Sequence, residues 1–320
     1  MTIELSNMLQ KYCMYSPAAY ALLFLILVSQ SAIAQQTFTG SDGVEVTIAD
    51  TTRIISIGSA VTETIYALGA DENLIAADES STYPEAAEAL PKVSFTRNLS
   101  PEGVLSFSPT VILASGASGP EAAIRQIRST GTPMLLFTAD ETVEGAFERV
   151  EQLGKVLNRE AEASQIIENM KEDLTRAEKM RKKIDEKPKV LFIYARGPNN
   201  LMVAGNKTSA KTVIELAGGV NAFTEFDGYK PLTAEAVVNA NPDVILMMDS
   251  GIQSVGGEEG VLKSPGVELT NAAKNSRIYS MEGTYLIGFS PRLGSAVLDL
   301  MQLLHSNEDF VEMRSLESGK

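Results

Sequence analysis

The chain has 320 residues, 44% of them hydrophobic and 21% charged, with a formal net charge of −14. It is long and apolar enough for two cores. The acidic balance argues against a nucleic-acid partner, because phosphate recognition needs a basic face and none is evident. One cysteine, one histidine and no tryptophan leave little material for a His- or Cys-based catalytic or metal centre.

The chain opens with a targeting segment, residues 1–34. Lys11 supplies a weak positive region, Ala18 to Val28 is an apolar run, and Ala32-Ile33-Ala34 offers a cleavage site before Gln35. The run is too short for a stable bilayer anchor. Cys13 precedes it, whereas a lipoprotein signal would place the cysteine after it. An uncleaved anchor is the competing reading. The mature chain is expected to be exported, soluble, free of cysteine and periplasmic.

A polar opening leads to a predicted strand at 53–57 (RIISI), a helix over 61–68 closed by Gly69, and a strand at 74–77. The loop Asp78 to Pro84 follows, then a helix over 100–106, a strand at 110–114, a helix over 120–130 and a strand at 133–137. An amphipathic helix over 142–157 completes this half. Strands alternating with helices at this spacing predict a mostly parallel, doubly wound sheet.

Residues 159–187 then run without Gly or Pro until Pro188. Ala163, Ile167, Met170, Leu174, Ala177 and Ile184 make one narrow apolar stripe at helical spacing. Glu160 and Glu162 at the start and Arg181, Lys182 and Lys183 at the end match the helix dipole. About 25 helical residues would span roughly 38 Å. A narrow stripe on a mostly polar helix suits a strut across two bodies. An ordinary long surface helix of one domain fits the stretch alone equally well.

Beyond Pro188 the grammar restarts, with strands at 189–194, 201–204, 243–248 and 277–280 and helices over 209–217, 234–240 and 291–304. An echo links the halves. Leu99-Ser100-Pro101-Glu102-Gly103-Val104-Leu105 through the strand after Pro109 aligns without gaps on Leu232-Thr233-Ala234-Glu235-Ala236-Val237-Val238 through the strand after Pro242. Each copy is a Ser/Thr cap, a glutamate two residues on, an apolar pair, a proline and a buried strand. The expected architecture is α/β, with two doubly wound, Rossmann-like lobes (35–158 and 188–320) joined by one long helix (159–187) and a ligand cleft between them.

There is no G-x-S-x-G elbow and no P-loop. His305, in or just after the last helix, reads as a surface or helix-end residue. In open α/β sheets, ligands bind beyond the carboxyl ends of the strands. Two such loops carry unusual side chains: Tyr83, presented by Ser80-Ser81-Thr82 before Pro84, and Tyr194 with Arg196 and Asn199. Other loops add Arg97, Tyr229, Lys230, Tyr285, Phe289 and Arg292. Phenols, aromatic faces and cations in an acidic protein suit a flat apolar ligand with carboxylate edges and an oxyphilic metal.

RIISIGSAVTETIYALGA, STYPEAAEALPKV, LSPEGVLSFSPTVILAS, MVAGNKTSAKTVIELAGGVNAF, GYKPLTAEAVV and FSPRLGSAVLDL together resemble the periplasmic haem-binding proteins of bacterial haem ABC importers. The resemblance covers nearly the whole mature chain and implies haem as a transported ligand rather than a catalytic cofactor. It puts the axial iron ligand at Tyr83, and ferric iron can hold a phenolate although a free Tyr has a pKa near 10. Arg196 and Tyr194 fall on the facing loop, where some relatives use a histidine. Arg196 suits either the phenolate or a propionate, and Arg97, Lys230 and Arg292 are further candidates for propionates. Glu102 and Glu235 are similar to the lobe-top acids that dock such proteins on their permease. The implied partners are haem, an inner-membrane ABC permease and an outer-membrane haem receptor. The competing readings are the same fold carrying a ferric siderophore or cobalamin, and an exported α/β enzyme.

Overall fold

A computed structural model describes residues 36–305, so the targeting segment expected over 1–34 lies outside the described residues. The expected polar opening is a hairpin, β1 (Gln36–Thr39) and β2 (Glu45–Ile48), whose Val46 and Ile48 turn inward at alternate positions. The first lobe continues with β3 (Ile54–Ile57), α1 (Ser59–Ala67), β4 (Leu74–Ala77), α2 (Glu85–Glu88), α3 (Pro101–Leu105), β5 (Val111–Ser115), α4 (Glu121–Ser129), β6 (Met134–Phe137) and α5 (Val143–Leu157). Its sheet runs β4-β3-β5-β6, all parallel. The four strands hold long apolar runs because helices cover both faces.

The second lobe holds β7 (Lys189–Ala195), β8 (Leu201–Ala204), α7 (Ser209–Leu216), β9 (Val220–Asn221), β10 (Tyr229–Pro231), α8 (Ala234–Ala240) and β11 (Val244–Met248). It ends with α9 (Asp249–Ser254), α10 (Gly257–Leu262), α11 (Asn271–Lys274), β12 (Ile278–Met281), α12 (Gly283–Ile287) and α13 (Leu293–Leu304). Its sheet order is β10-β8-β7-β11-β12, with β9 beside β7. Here the structure departs from the mostly parallel expectation: β8 runs antiparallel to both β7 and β10. Tyr229 and Lys230, read from sequence as loop residues, lie in that added strand.

The linking helix, α6 (Glu160–Arg181), has 22 residues and is about 33 Å long. It ends before the expected Lys187. Pro188 forces its predecessor out of the helical region, and residues 182–188 carry the chain down to β7. Ala163, Met170, Ala177 and Met180 are its buried residues. They belong to one apolar cluster that includes Leu153 and Val156 of the first lobe and Val297, Leu300 and Leu304 of the second. The helix is therefore a spine shared by both cores.

Two glycines set how closely that spine sits. A Cβ at Gly154 of α5 would fall 2.5 Å from the Ala163 Cβ, and one at Gly294 of α13 would fall 2.5 Å from the Asp173 Cβ. One helix of each lobe thus touches α6 backbone to backbone. Gly294→Val is expected to destabilise the protein by about 1–3 kcal/mol, lowering Tm by about 3 °C per kcal/mol in a thermal melt.

His305 ends α13 as expected, but it is buried (8% exposed) rather than superficial, with Nε2 3.1 Å from the Ala217 carbonyl. Burial holds its pKa below the ordinary histidine value, against the Ala217 hydrogen bond that favours the charged ring. The unfolded chain thus takes up this proton more readily. The contribution to stability is complete above about pH 6.5 and is lost as pH falls toward the folded-state value. Between about pH 7.5 and pH 5.5, His305→Asn is expected to flatten part of the acid-side loss of stability, read by urea melts.

Candidate functional site

In each lobe the strand order reverses beside a central strand, and the loops leaving the carboxyl ends there face the other lobe. The resulting cleft encloses about 620 Å³, within the roughly 300–1,000 Å³ of small-molecule and cofactor sites. The first lobe contributes Gly58, Ser59, Ser80, Thr82, Ser115 and Asp140 among others, and the second contributes Met248, Asp249, Glu282, Thr284 and Phe289.

Asp78, fully buried, holds the first lobe's half together. Its Oδ1 accepts from the Gly58 amide (2.9 Å) and the Ser81 hydroxyl (2.6 Å), and its Oδ2 accepts from the hydroxyls of Ser80 and Thr96 (2.6 Å each). One carboxylate thereby fixes the β3–α1 turn, the loop carrying Tyr83 and the turn carrying Arg97. Arg97 is exposed and lines the cleft, as expected.

Tyr83, 42% exposed, directly follows the lining residue Thr82 but does not itself line the cleft. The Arg292 guanidinium carbon lies 3.5 Å from its ring centroid, a cation–π contact. That arginine is already committed. Its Nε and Nη2 each donate to the Glu63 carboxylate at 2.8 Å, and the Ser290 hydroxyl donates to the same group at 2.6 Å. Burial alone would lower the Arg292 pKa, but the Glu63 bond and charge outweigh it and raise it. Arg292 is therefore placed as an interlobe latch rather than as a free cation for a propionate. Glu63, 2% exposed, belongs to α1, and Arg292 to the second lobe. Glu63→Ala would strand a largely buried guanidinium and is expected to cost about 3 kcal/mol, with a matching fall in the urea midpoint.

Arg149 reinforces the join. Though it is 4% exposed, its guanidinium donates to the Thr138 carbonyl of its own lobe (2.8 Å) and, across the lobe boundary, to the Phe289 carbonyl (2.5 Å). Burial lowers its pKa to about 10, against the charges of Glu141, Asp140 and Glu148, so it stays cationic at neutral pH. Sequence reasoning missed both Glu63 and Arg149. The available signal was phase: Arg149 stands between Ala146 and Leu153, where an amphipathic helix turns its apolar side inward.

In the second lobe, Tyr194 near the end of β7 accepts a hydrogen bond at its hydroxyl oxygen from Arg196 Nε, 2.7 Å away, and neither residue is among those that line the cleft. The Tyr194 ring packs on Tyr229, with centroids 5.9 Å apart. Burial pushes the Tyr229 pKa up to about 12. Tyr285 donates to Asp299 Oδ2 (2.8 Å), and burial with that bond raises its pKa further. Both hydroxyls stay protonated at neutral pH. Lys230, a candidate partner for a propionate, packs on an aromatic ring. Side chains alternate along β10, and its Nζ lies 4.7 Å from the Phe226 ring, away from the Tyr194–Tyr229 pair.

Glu102 and Glu235 occupy equivalent exposed places. Each lies in the first turn of a short helix whose cap accepts an amide hydrogen bond, Ser100 from Gly103 (3.1 Å) and Thr233 from Ala236 (3.3 Å).

A family model described as periplasmic binding protein matches residues 54–285. The fold is similar to that of the periplasmic haem-binding protein RhuT from Roseiflexus sp. RS-1, at 35% identity over 80% of this chain and 99% of that one, with a TM-score of 0.77. It is also similar to the periplasmic haem-binding protein BhuT in complex with two haems, at 36% identity over 79% of this chain and 97% of that one, with a TM-score of 0.75. By sequence, a vitamin B12-binding protein of Vibrio vulnificus is 27% identical over 75% of this chain and 85% of its own length.

Proposed function

The chain belongs to the periplasmic binding protein family, and from that premise we propose that it captures haem in the interlobe cleft and delivers it to an inner-membrane ABC permease. The observation that carries this reading is the Tyr194 phenol of the second lobe, held by the Arg196 guanidinium, supported by the likeness to RhuT and BhuT. Ferric iron, as a Lewis acid, binds phenolate in place of the phenolic proton. A guanidinium donating to that oxygen stabilises the charge that forms. Two phenols compete for the iron: the resemblance points to Tyr83, and the Arg196 hydrogen bond favours Tyr194. Arg97, which lines the cleft, is the proposed partner of a propionate. The site of action is the periplasm, downstream of an outer-membrane haem receptor, with Glu102 and Glu235 as docking acids.

A corrinoid is the second reading. Asp140, Glu141, Asp249 and Glu282 line the cleft against only Arg97 and Arg149. Such an acidic wall can accept hydrogen bonds from the amide rim of cobalamin, and a relative is named for that vitamin. Thermal melts with hemin, cyanocobalamin or a ferric siderophore separate the readings. A ligand at 100 times its Kd stabilises by about 2.7 kcal/mol. Hemin alone is expected to raise Tm; a shift with cyanocobalamin alone would replace haem by a corrinoid.

A further inference from the structure

The exposed large aromatic side chains among the described residues are Phe95 (64%), Tyr83 (42%) and Tyr229 (37%), and the first two adjoin in sequence the cleft-lining residues Thr96 and Thr82. Phe95 is the most exposed of the large hydrophobic residues, yet its backbone is firmly held. Its carbonyl accepts from the Asn98 amide (2.9 Å), the next carbonyl, Thr96, accepts from Gly119 (3.0 Å), and the preceding one, Ser94, accepts from Glu79 (2.9 Å). The adjacent Thr96 hydroxyl donates to the buried Asp78. Thr96 and Arg97, the next two residues, line the cleft.

A firmly held turn therefore presents a phenyl ring to water next to two residues that line the cleft. Fully covering such a side chain yields roughly 1.5–3 kcal/mol, and that gain is unclaimed in the free protein. Phenylalanine has no donor or acceptor, so it neither ligates iron nor pairs with a propionate. What it offers is area and a π face, which suits the flat apolar surface of a macrocycle.

We propose that Phe95 is a specificity-determining contact, packing against one face of the bound porphyrin, with Thr96 and Asp78 as positioning residues that aim it. This rests on the porphyrin reading of the cleft and adds a residue that acts on the ring rather than on the metal. The test compares wild type, Phe95→Ala and Phe95→Leu, each titrated with hemin and with metal-free protoporphyrin IX. Phe95→Ala is expected to weaken both porphyrins by a similar factor, roughly tenfold, and Phe95→Leu by less. Its Tm should match wild type, since an exposed side chain away from packing changes stability by about 0.5 kcal/mol or less. If wild type binds both porphyrins and Phe95→Ala binds them equally well, the proposed contact is wrong while the porphyrin reading stands. Weakening confined to hemin would also overturn it, because the effect would then pass through the iron. A wild type that binds neither porphyrin removes both the contact and the reading beneath it.

Discussion

Tyr194→Phe is expected to abolish the phenolate-to-iron charge-transfer band of the hemin-loaded protein and to weaken hemin binding roughly 100-fold, about 2.7 kcal/mol. The substitution leaves the ring against Tyr229 and removes only the oxygen that accepts from Arg196. Arg196→Ala keeps the phenol but removes its donor, and is expected to cost roughly tenfold, in the range of outer-shell partners of metal ligands. Tyr83→Phe keeps the ring beneath the Arg292 guanidinium and is expected to retain the band. If the band instead disappears in Tyr83→Phe and survives in Tyr194→Phe, the iron sits on the first lobe's rim, where the resemblance puts it.

The second large effect concerns delivery. Glu102→Ala combined with Glu235→Ala is expected to leave hemin affinity unchanged and to stop haem uptake in cells that depend on this protein. Each acid is exposed at the start of a capped helix, one per lobe, at matched positions of the internal echo. Losing one side of a desolvated interfacial charge pair costs roughly 2–5 kcal/mol, so two such losses remove stable docking. The local alternative is that each glutamate only complements its helix dipole, a matter of about 0.3–1 kcal/mol. In that case uptake by the double variant would match wild type and melting would shift slightly.

The architecture was legible because its signals are local and repeated. The echo placed both capped helices, and the unbroken polar run before Pro188 placed the spine between the lobes. The last turn of that helix was not legible, since residues 182–187 lack a breaker of their own and Pro188 acts only on its neighbour. At the site, Arg97 could be read as a loop residue of the cleft, which it lines. The roles of the charged residues could not. Whether an arginine meets a ligand, as Arg97 can, or a buried glutamate, as Arg292 does, depends on a partner more than two hundred residues away in sequence. The strand that holds Tyr229 and Lys230 was missed for a related reason: three residues paired antiparallel to β8 leave almost no periodicity to read.

The latch and the spine also bear on how the lobes move. With α6 packed into both cores and Glu63, Arg292, Ser290 and Arg149 bonded across the boundary, ligand capture is expected to turn the lobes by only a few degrees. Solution scattering of free and hemin-bound protein should give nearly superimposable profiles.

The central claim, that the cleft binds ferric haem through a tyrosine phenolate, is tested most directly by titrating the mature protein with hemin and following its absorbance. The expected result is a saturable Soret change with a phenolate-type charge-transfer band and a definite stoichiometric endpoint. Absorbance that rises only as free hemin does, with no endpoint and no such band, would contradict it.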